Sequence, residues 1–87
     1  ACALAREMVD TPAADMGPLQ METIAREIAE AHGATISVTT GDDLLEQNYP
    51  AIHAVGRAAA PHRAPRILEI GWNLNRTDRP LVALIGK

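Results

Sequence analysis

The sequence is poor in aromatic residues and in positive charge. It has no phenylalanine, one tyrosine and one tryptophan in 87 residues, and 8 lysines and arginines stand against 11 aspartates and glutamates. Proteins that bind single-stranded nucleic acid stack its bases on aromatic side chains, and a nucleic-acid backbone requires a basic surface. Since the formal net charge is −3, we expect no nucleic-acid partner.

Long apolar runs and cysteines are also scarce. The longest unbroken aliphatic run, residues 81–85, is far shorter than the ~20 residues of a bilayer-spanning helix, so we expect no membrane association. The opening residues lack the charged-then-apolar pattern of a signal peptide. Cys2 is the only cysteine, which excludes a disulfide within the chain and is typical of a reducing compartment. Together these features predict a cytoplasmic protein.

The length allows one small domain of marginal independent stability. The sequence begins at Ala1 and stops at Lys87, directly after its most apolar run. A buried strand needs neighbours on both sides to satisfy its N–H and C=O groups. We therefore expect a piece of a longer protein. The alternative is a small complete domain that ends on a short edge strand.

Two helices are predicted before the first strand. Residues 2–10 place apolar side chains on one face, and Pro12 disfavours helical geometry beyond Thr11. Residues 18–32 have the strongest helical spacing. Pro18 suits the first helical position, and Gly33 suits a left-handed C-terminal cap.

The rest of the chain predicts two shorter helices and three strands. The helices are residues 41–47, capped by Thr40 or Gly41, and residues 50–59. The strands are residues 35–39, 66–72 and 81–85, the last nearly uniformly apolar and therefore typical of a strand buried on both faces. The order α-α-β-α-α-β-β predicts an α/β fold: part of a mixed sheet flanked by helices, in an incomplete domain. The last two strands could pair as a hairpin.

Lys87 is the residue whose position best fits a functional role. Gly86 and Lys87 resemble the end of a phosphate-binding loop, but Leu81 stands where that loop needs glycine, and no GxGxxG occurs. In open α/β sheets, ligands gather outside the carboxyl ends of the strands. An apolar wall there favours a neutral amine, which can act as a base, a nucleophile or a metal ligand. The alternative is a lysine that simply points into water.

The remaining chemistry-bearing residues favour structural interpretations. His32, His53 and His62 show neither i,i+4 nor HExxH spacing, which argues against a zinc site shared with Cys2. The only serine, Ser37, lies within a predicted strand, where a nucleophile is not expected.

Two further polar features have alternative interpretations. Arg57, Arg63 and Arg66 could bind an anion, but a solvated face or a subunit contact explains them better. Asp15 is interpreted as a turn former that bonds to nearby backbone N–H groups.

Four segments together resemble one enzyme family. Residues 5–18 read AREMVDTPAADMGP and resemble the opening of the catalytic domain of leucyl (cytosol) aminopeptidases, usually Ala-Arg-(Asp/Glu)-Leu-Val-Asn-Thr-Pro-Ala-Asn-Asp-Met-(Thr/Gly)-Pro. Residues 54–58, 66–70 and 81–87 are similar to later family segments, in order and at the expected spacing. Asp10 and Ala14 stand where the family often has asparagine, and Gly17 where it often has threonine.

This resemblance implies a function for a longer protein. Family members remove N-terminal residues from peptides with a free N-terminus by means of two divalent cations, commonly Zn²⁺ or Mn²⁺, and assemble as hexamers. Lys87 matches the family lysine that ligates one metal through its amine, and the other ligands lie beyond it. Residues 1–87 would thus be the N-terminal portion of the catalytic domain, with no metal of their own and no activity alone. The alternative is a self-contained, non-catalytic α/β interaction or regulatory module that binds a partner through residues 57–66.

Overall fold

Helices and strands alternate along the chain much as the sequence predicts. The structure, a computed structural model, describes all 87 residues. Its elements are α1 (Cys2–Asp10), α2 (Pro18–Ala31), β1 (Thr35–Thr40), α3 (Asp43–Glu46), α4 (Pro50–Gly56), a 3₁₀ turn (Pro61–Arg63) and β2 (Arg66–Gly71). The α/β class is confirmed, and so is the order of elements as far as β2. None of the four helices has the length and apolar character that crossing a bilayer would require.

The longest helix, α2, has the ends that its sequence predicts. Pro18 occupies its first turn, and Gly33 follows its end with a φ of 64°. The N–H of Ala34 donates to the carbonyl of Ala29 at 2.8 Å, and the N–H of Gly33 donates to that of Glu30 at 3.4 Å. These two bonds form a Schellman motif, in which a left-handed residue satisfies the free carbonyls of the last turn.

The sheet of this chain consists of one antiparallel pair of strands. Thr35 of β1 lies opposite Gly71 of β2, and Thr40 lies opposite Arg66. Directly opposed residues share a face, so Ile36, Val38, Leu68 and Ile70 lie together on one side. The side chain of Arg66 is on that same side and contacts Glu22 of α2, which shows that α2 covers this face.

The third predicted strand, residues 81–85, is not formed, and neither is a hairpin with the preceding strand, because β2 pairs with β1. The apolar side chains of this segment are largely exposed, with Leu84 at 95% and Ile85 at 96%. A strand is stable only when a neighbouring backbone accepts and donates its hydrogen bonds. Neither β1 nor β2 lies beside residues 81–85, so this apolar segment has no strand with which to pair.

The two short helices differ from the prediction at their ends. Gly41 has a φ of 57°, and its N–H donates to the carbonyl of Pro65 at 2.9 Å. This bond extends the hydrogen bonding between β1 and β2 by one residue. Asp42, and not Thr40 or Gly41, is therefore the N-cap of α3. Helix α4 stops at Gly56, three residues short of the prediction. The glycine lies so close to Pro65 that an added methyl group would overlap the proline ring.

The buried core is very small. Its buried apolar residues are Ala25 and Ala29 of α2 and Leu44 of α3, of which only Leu44 is completely inaccessible to solvent. Helix α1 contributes no buried residue, and Val9 is 83% exposed. A core of this size gives little hydrophobic stabilisation, so the polar contacts between elements matter for holding the molecule together.

Candidate functional site around Lys87

Lys87 lies at the edge of an apolar groove of about 500 Å³ between α2, α4 and the start of β2. Pro18, Ile52, Val55 and Pro65 supply much of its apolar lining. Arg66 and Lys87 are the only charged residues that line it, and no carboxylate does. The groove can hold an apolar group beside two cations.

Lys87 does not lie where the sequence predicts it. The sequence predicts the amine at the carboxyl end of a buried strand, but residues 81–85 form no strand and Lys87 is exposed. The groove is the only apolar surface beside Lys87, and it lies on one side of the residue. The role of Lys87 as a metal ligand therefore stays a prediction based on the family resemblance.

The residues of this chain do not by themselves fit a metal site. No group of three or more histidine, cysteine, aspartate or glutamate side chains is close enough to hold a metal ion. Cys2 is exposed, and Nε2 of His53 lies 3.1 Å from a carboxylate oxygen of Asp42. Lys87 could supply one donor atom, and a metal ion needs several. Any further ligands must come from residues outside this chain.

The three arginines that the sequence groups together do not converge on one ligand. Arg63 donates from Nη2 to the carbonyls of Ala13 and Ala14, at 2.7 and 3.1 Å. Arg66 donates to Glu22 at 2.5 Å. Arg57 makes no hydrogen bond and is exposed. Two of the three are thus occupied by protein groups, and an anion site built from all three is not present.

Glu22 connects α2 to the start of β2. It accepts from Arg66 and, on its other oxygen, from Arg26 at 3.0 Å, while its own side chain is only 14% exposed. The hydrogen bond from Arg26 and then that from Arg66 lower the pKa of Glu22. The i,i+4 spacing predicts the pairing of Glu22 with Arg26. No sequence signal indicates Arg66, which stands 44 positions away.

The sequence does not predict the contact of Tyr49 with Glu69, and it predicts a different role for Asp15 from the one that the structure shows. The hydroxyl of Tyr49 donates to Glu69 at 2.7 Å, which joins the connection between α3 and α4 to β2 and raises the pKa of Tyr49. Asp15 does lie in a turn, but its backbone N–H closes that turn on the carbonyl of Pro12 at 2.9 Å. The carboxylate of Asp15 accepts no hydrogen bond, so the predicted side-chain role is wrong.

Comparison with known proteins identifies the chain's family. Residues 3–87 match the catalytic domain of the cytosol aminopeptidase family. Peptidase B of Pectobacterium carotovorum subsp. carotovorum (strain PC1) is 36% identical over 87 residues, which cover 94% of this chain and 20% of the relative. Peptidase B of Yersinia pestis (strain Pestoides F) and that of Yersinia pseudotuberculosis serotype O:1b (strain IP 31758) show the same identity and coverage. The chain thus spans about a fifth of the length of these curated relatives, and no solved structure matches it. By this match over nearly its whole length, the chain belongs to the cytosol aminopeptidase family.

Proposed function

We propose that residues 1–87 form the N-terminal portion of the catalytic domain of a leucyl aminopeptidase, which hydrolyses N-terminal residues from peptides with a free N-terminus. The observation that carries this proposal is the match of residues 3–87 to the catalytic domain of the family. The relatives named Peptidase B support a peptidase activity. By family resemblance, the whole protein is a cytoplasmic hexamer.

The whole protein uses two divalent metal ions, zinc or manganese, and Lys87 supplies one of their ligands. Lys87 is the only lysine of the chain, and no carboxylate shares its groove. Because this chain offers one donor at most, we expect residues 1–87 alone to bind no metal and to hydrolyse no peptide. Their contribution is a scaffold that carries Lys87.

The groove supports a scaffold of this kind. Its walls come from distant parts of the chain, and the contact between Glu22 and Arg66 ties the α2 wall to the β2 wall. The apolar side chains of Ile52 and Val55 also line the groove. These contacts hold an apolar surface beside Lys87, and such a surface favours the neutral form of an amine.

The first test is hydrolysis of leucine p-nitroanilide by the longer protein that carries this chain. We expect activity that a chelator abolishes and that zinc or manganese restores. Absence of hydrolysis by the metal-loaded protein would contradict the proposal. Such a result, together with cooperative urea unfolding of the 87 residues alone, would favour the alternative of a non-catalytic interaction module.

The second test addresses Lys87. An amine must be neutral to ligate a metal, whereas the guanidinium of arginine stays protonated. Lys87→Ala and Lys87→Arg should therefore both lose activity and metal, while Arg79→Ala, which removes an exposed arginine with no hydrogen-bond partner, should keep both. Full activity and unchanged metal content in Lys87→Arg would refute the role of Lys87 as a ligand.

A further inference from the structure

We propose that Arg63 is a positioning residue, which fixes the loop of residues 12–17 (the 12–17 loop) beside the groove of Lys87. The effect on catalysis rests on the proposed function, whereas the hold on the loop does not. Arg63 lies in the 3₁₀ turn that precedes β2, about 50 positions from the loop that it contacts. Its Nη2 donates to the carbonyls of Ala13 and Ala14 at 2.7 and 3.1 Å.

The loop has no other long-range hydrogen bonds. Within it, the N–H groups of Asp15 and Met16 both donate to the carbonyl of Pro12 at 2.9 Å, which shapes the turn without attaching it to the rest of the molecule. The bonds from Arg63 are the only hydrogen bonds between residues 1–17 and anything beyond Met21. Since α1 buries no residue, apolar packing of that helix does not replace them.

The guanidinium of Arg63 also covers the point where the loop enters α2. Gly17 is buried there, and a Cβ atom at this position would lie 3.1 Å from Nη1 of Arg63. The next residue, Pro18, lines the groove, and so does Pro65, two residues after Arg63. Arg63 therefore connects two segments that lead directly into residues lining the groove.

Hydrogen exchange by mass spectrometry on the longer protein tests the hold on the loop. Losing two charge-assisted bonds in Arg63→Ala should speed exchange in peptides covering residues 12–17 by about ten-fold or more, with α2, β1 and β2 unchanged. Arg63→Lys should restore most of the protection, because an ammonium group can donate to both carbonyls. Arg57→Ala is the matched control and should exchange as the wild type does. Unchanged protection in Arg63→Ala, or equally faster exchange in every element, would overturn the proposal.

Kinetics with leucine p-nitroanilide test the positioning role. Arg63→Ala should lower kcat by about ten-fold with little change in KM, since a misplaced wall disturbs the geometry around Lys87 more than apolar binding of substrate. Arg63→Lys should recover most of kcat. If kcat stays at the wild-type value while the loop exchanges faster, Arg63 holds the loop without positioning the site, and the proposal fails. A wild-type protein without hydrolysis would refute the proposed function, and the exchange experiment would still decide whether Arg63 holds the loop.

Discussion

Replacing Glu22 by glutamine is the sharpest test of what joins α2 to the sheet. The side chain of Glu22 is 14% exposed, and Arg66, which donates to it at 2.5 Å, is 11% exposed. Arg26 donates to the other oxygen at 3.0 Å but is 52% exposed. Glutamine keeps the shape of the side chain and removes its charge, so the variant isolates the ionic part of the contact.

The expected loss comes mainly from Arg66. Glutamine can still accept a hydrogen bond from Arg66, so what is lost is the ionic part of that bond, about 1–2 kcal/mol, and the guanidinium is left without a counter-ion where it is poorly solvated. The exposed i,i+4 pair with Arg26 adds only about 0.3–0.5 kcal/mol. We therefore expect Glu22→Gln to lower the free energy of unfolding by about 1–2.5 kcal/mol at pH 7, a large fraction of the stability of so small a core.

The loss of unfolding free energy in Glu22→Gln should depend on pH in a defined direction. Arg26 and then Arg66 lower the pKa of folded Glu22 below its ordinary value of 4.5. A carboxyl group whose pKa is lower in the folded state stabilises fully above the unfolded pKa, and this stabilisation disappears as the pH falls through the folded value. The difference between wild type and Glu22→Gln should thus be complete at neutral pH and should shrink in acid.

Urea unfolding of the chain, followed by far-ultraviolet circular dichroism at neutral pH and in acid, measures both effects. Glu27→Gln is the control, because Glu27 is an exposed glutamate on the same helix and its side chain makes no hydrogen bond. A Glu22→Gln variant as stable as the wild type at pH 7 would refute the reasoning. So would a stability difference that stays constant as the carboxylate titrates.

Three further substitutions test other contacts. Gly56→Ala should destabilise the chain by about 1–3 kcal/mol in a urea melt, because the new methyl group overlaps the ring of Pro65. The phenol of Tyr49 should titrate above its ordinary pKa of 10.0, since Glu69 accepts its hydrogen bond. Ultraviolet titration of this single tyrosine should show that pKa fall towards 10.0 in Glu69→Gln. Leu84→Ala should leave the stability of the 87 residues unchanged, because the side chain is 95% exposed. If the rest of the longer protein supplies apolar neighbours for this segment, the same change there should cost about 2–5 kcal/mol.

Features that depend on neighbouring residues could be predicted from the sequence. The ends of α2 follow from Pro18 and Gly33, whose backbone preferences act within one turn of the chain. The strand β1 follows from its many β-branched residues and from the apolar Ile36 and Val38, which alternate with polar residues. Glu22 and Arg26 meet because a spacing of four residues is slightly more than one helical turn, which places both side chains on the same face. Each of these signals lies within a few positions of the structure that it specifies.

Contacts between distant segments could not be predicted in this way. Arg63 and Arg66 are both arginines and lie three positions apart, yet Arg63 binds backbone carbonyls of the 12–17 loop and Arg66 binds Glu22. Their partners depend on how α2 packs against β2, and no periodicity describes that packing. The anion site that the sequence offered as the weaker interpretation of these arginines is not formed, because nearness along the chain does not make side chains converge.

The apolar segment at residues 81–85 shows a different kind of limit. Its apolar composition is typical of a strand with apolar neighbours on both faces. The segment cannot form such a strand unless other parts of the protein supply those neighbours. The only sheet in this chain has two strands, and β1 pairs with β2. The relatives are about five times as long as the aligned region, so under the proposed function the missing neighbours would be supplied by the rest of the catalytic domain. The placement of Lys87, two residues after this segment, depends on the same contacts. Its metal-binding role must therefore be tested in the longer protein, where those contacts can form.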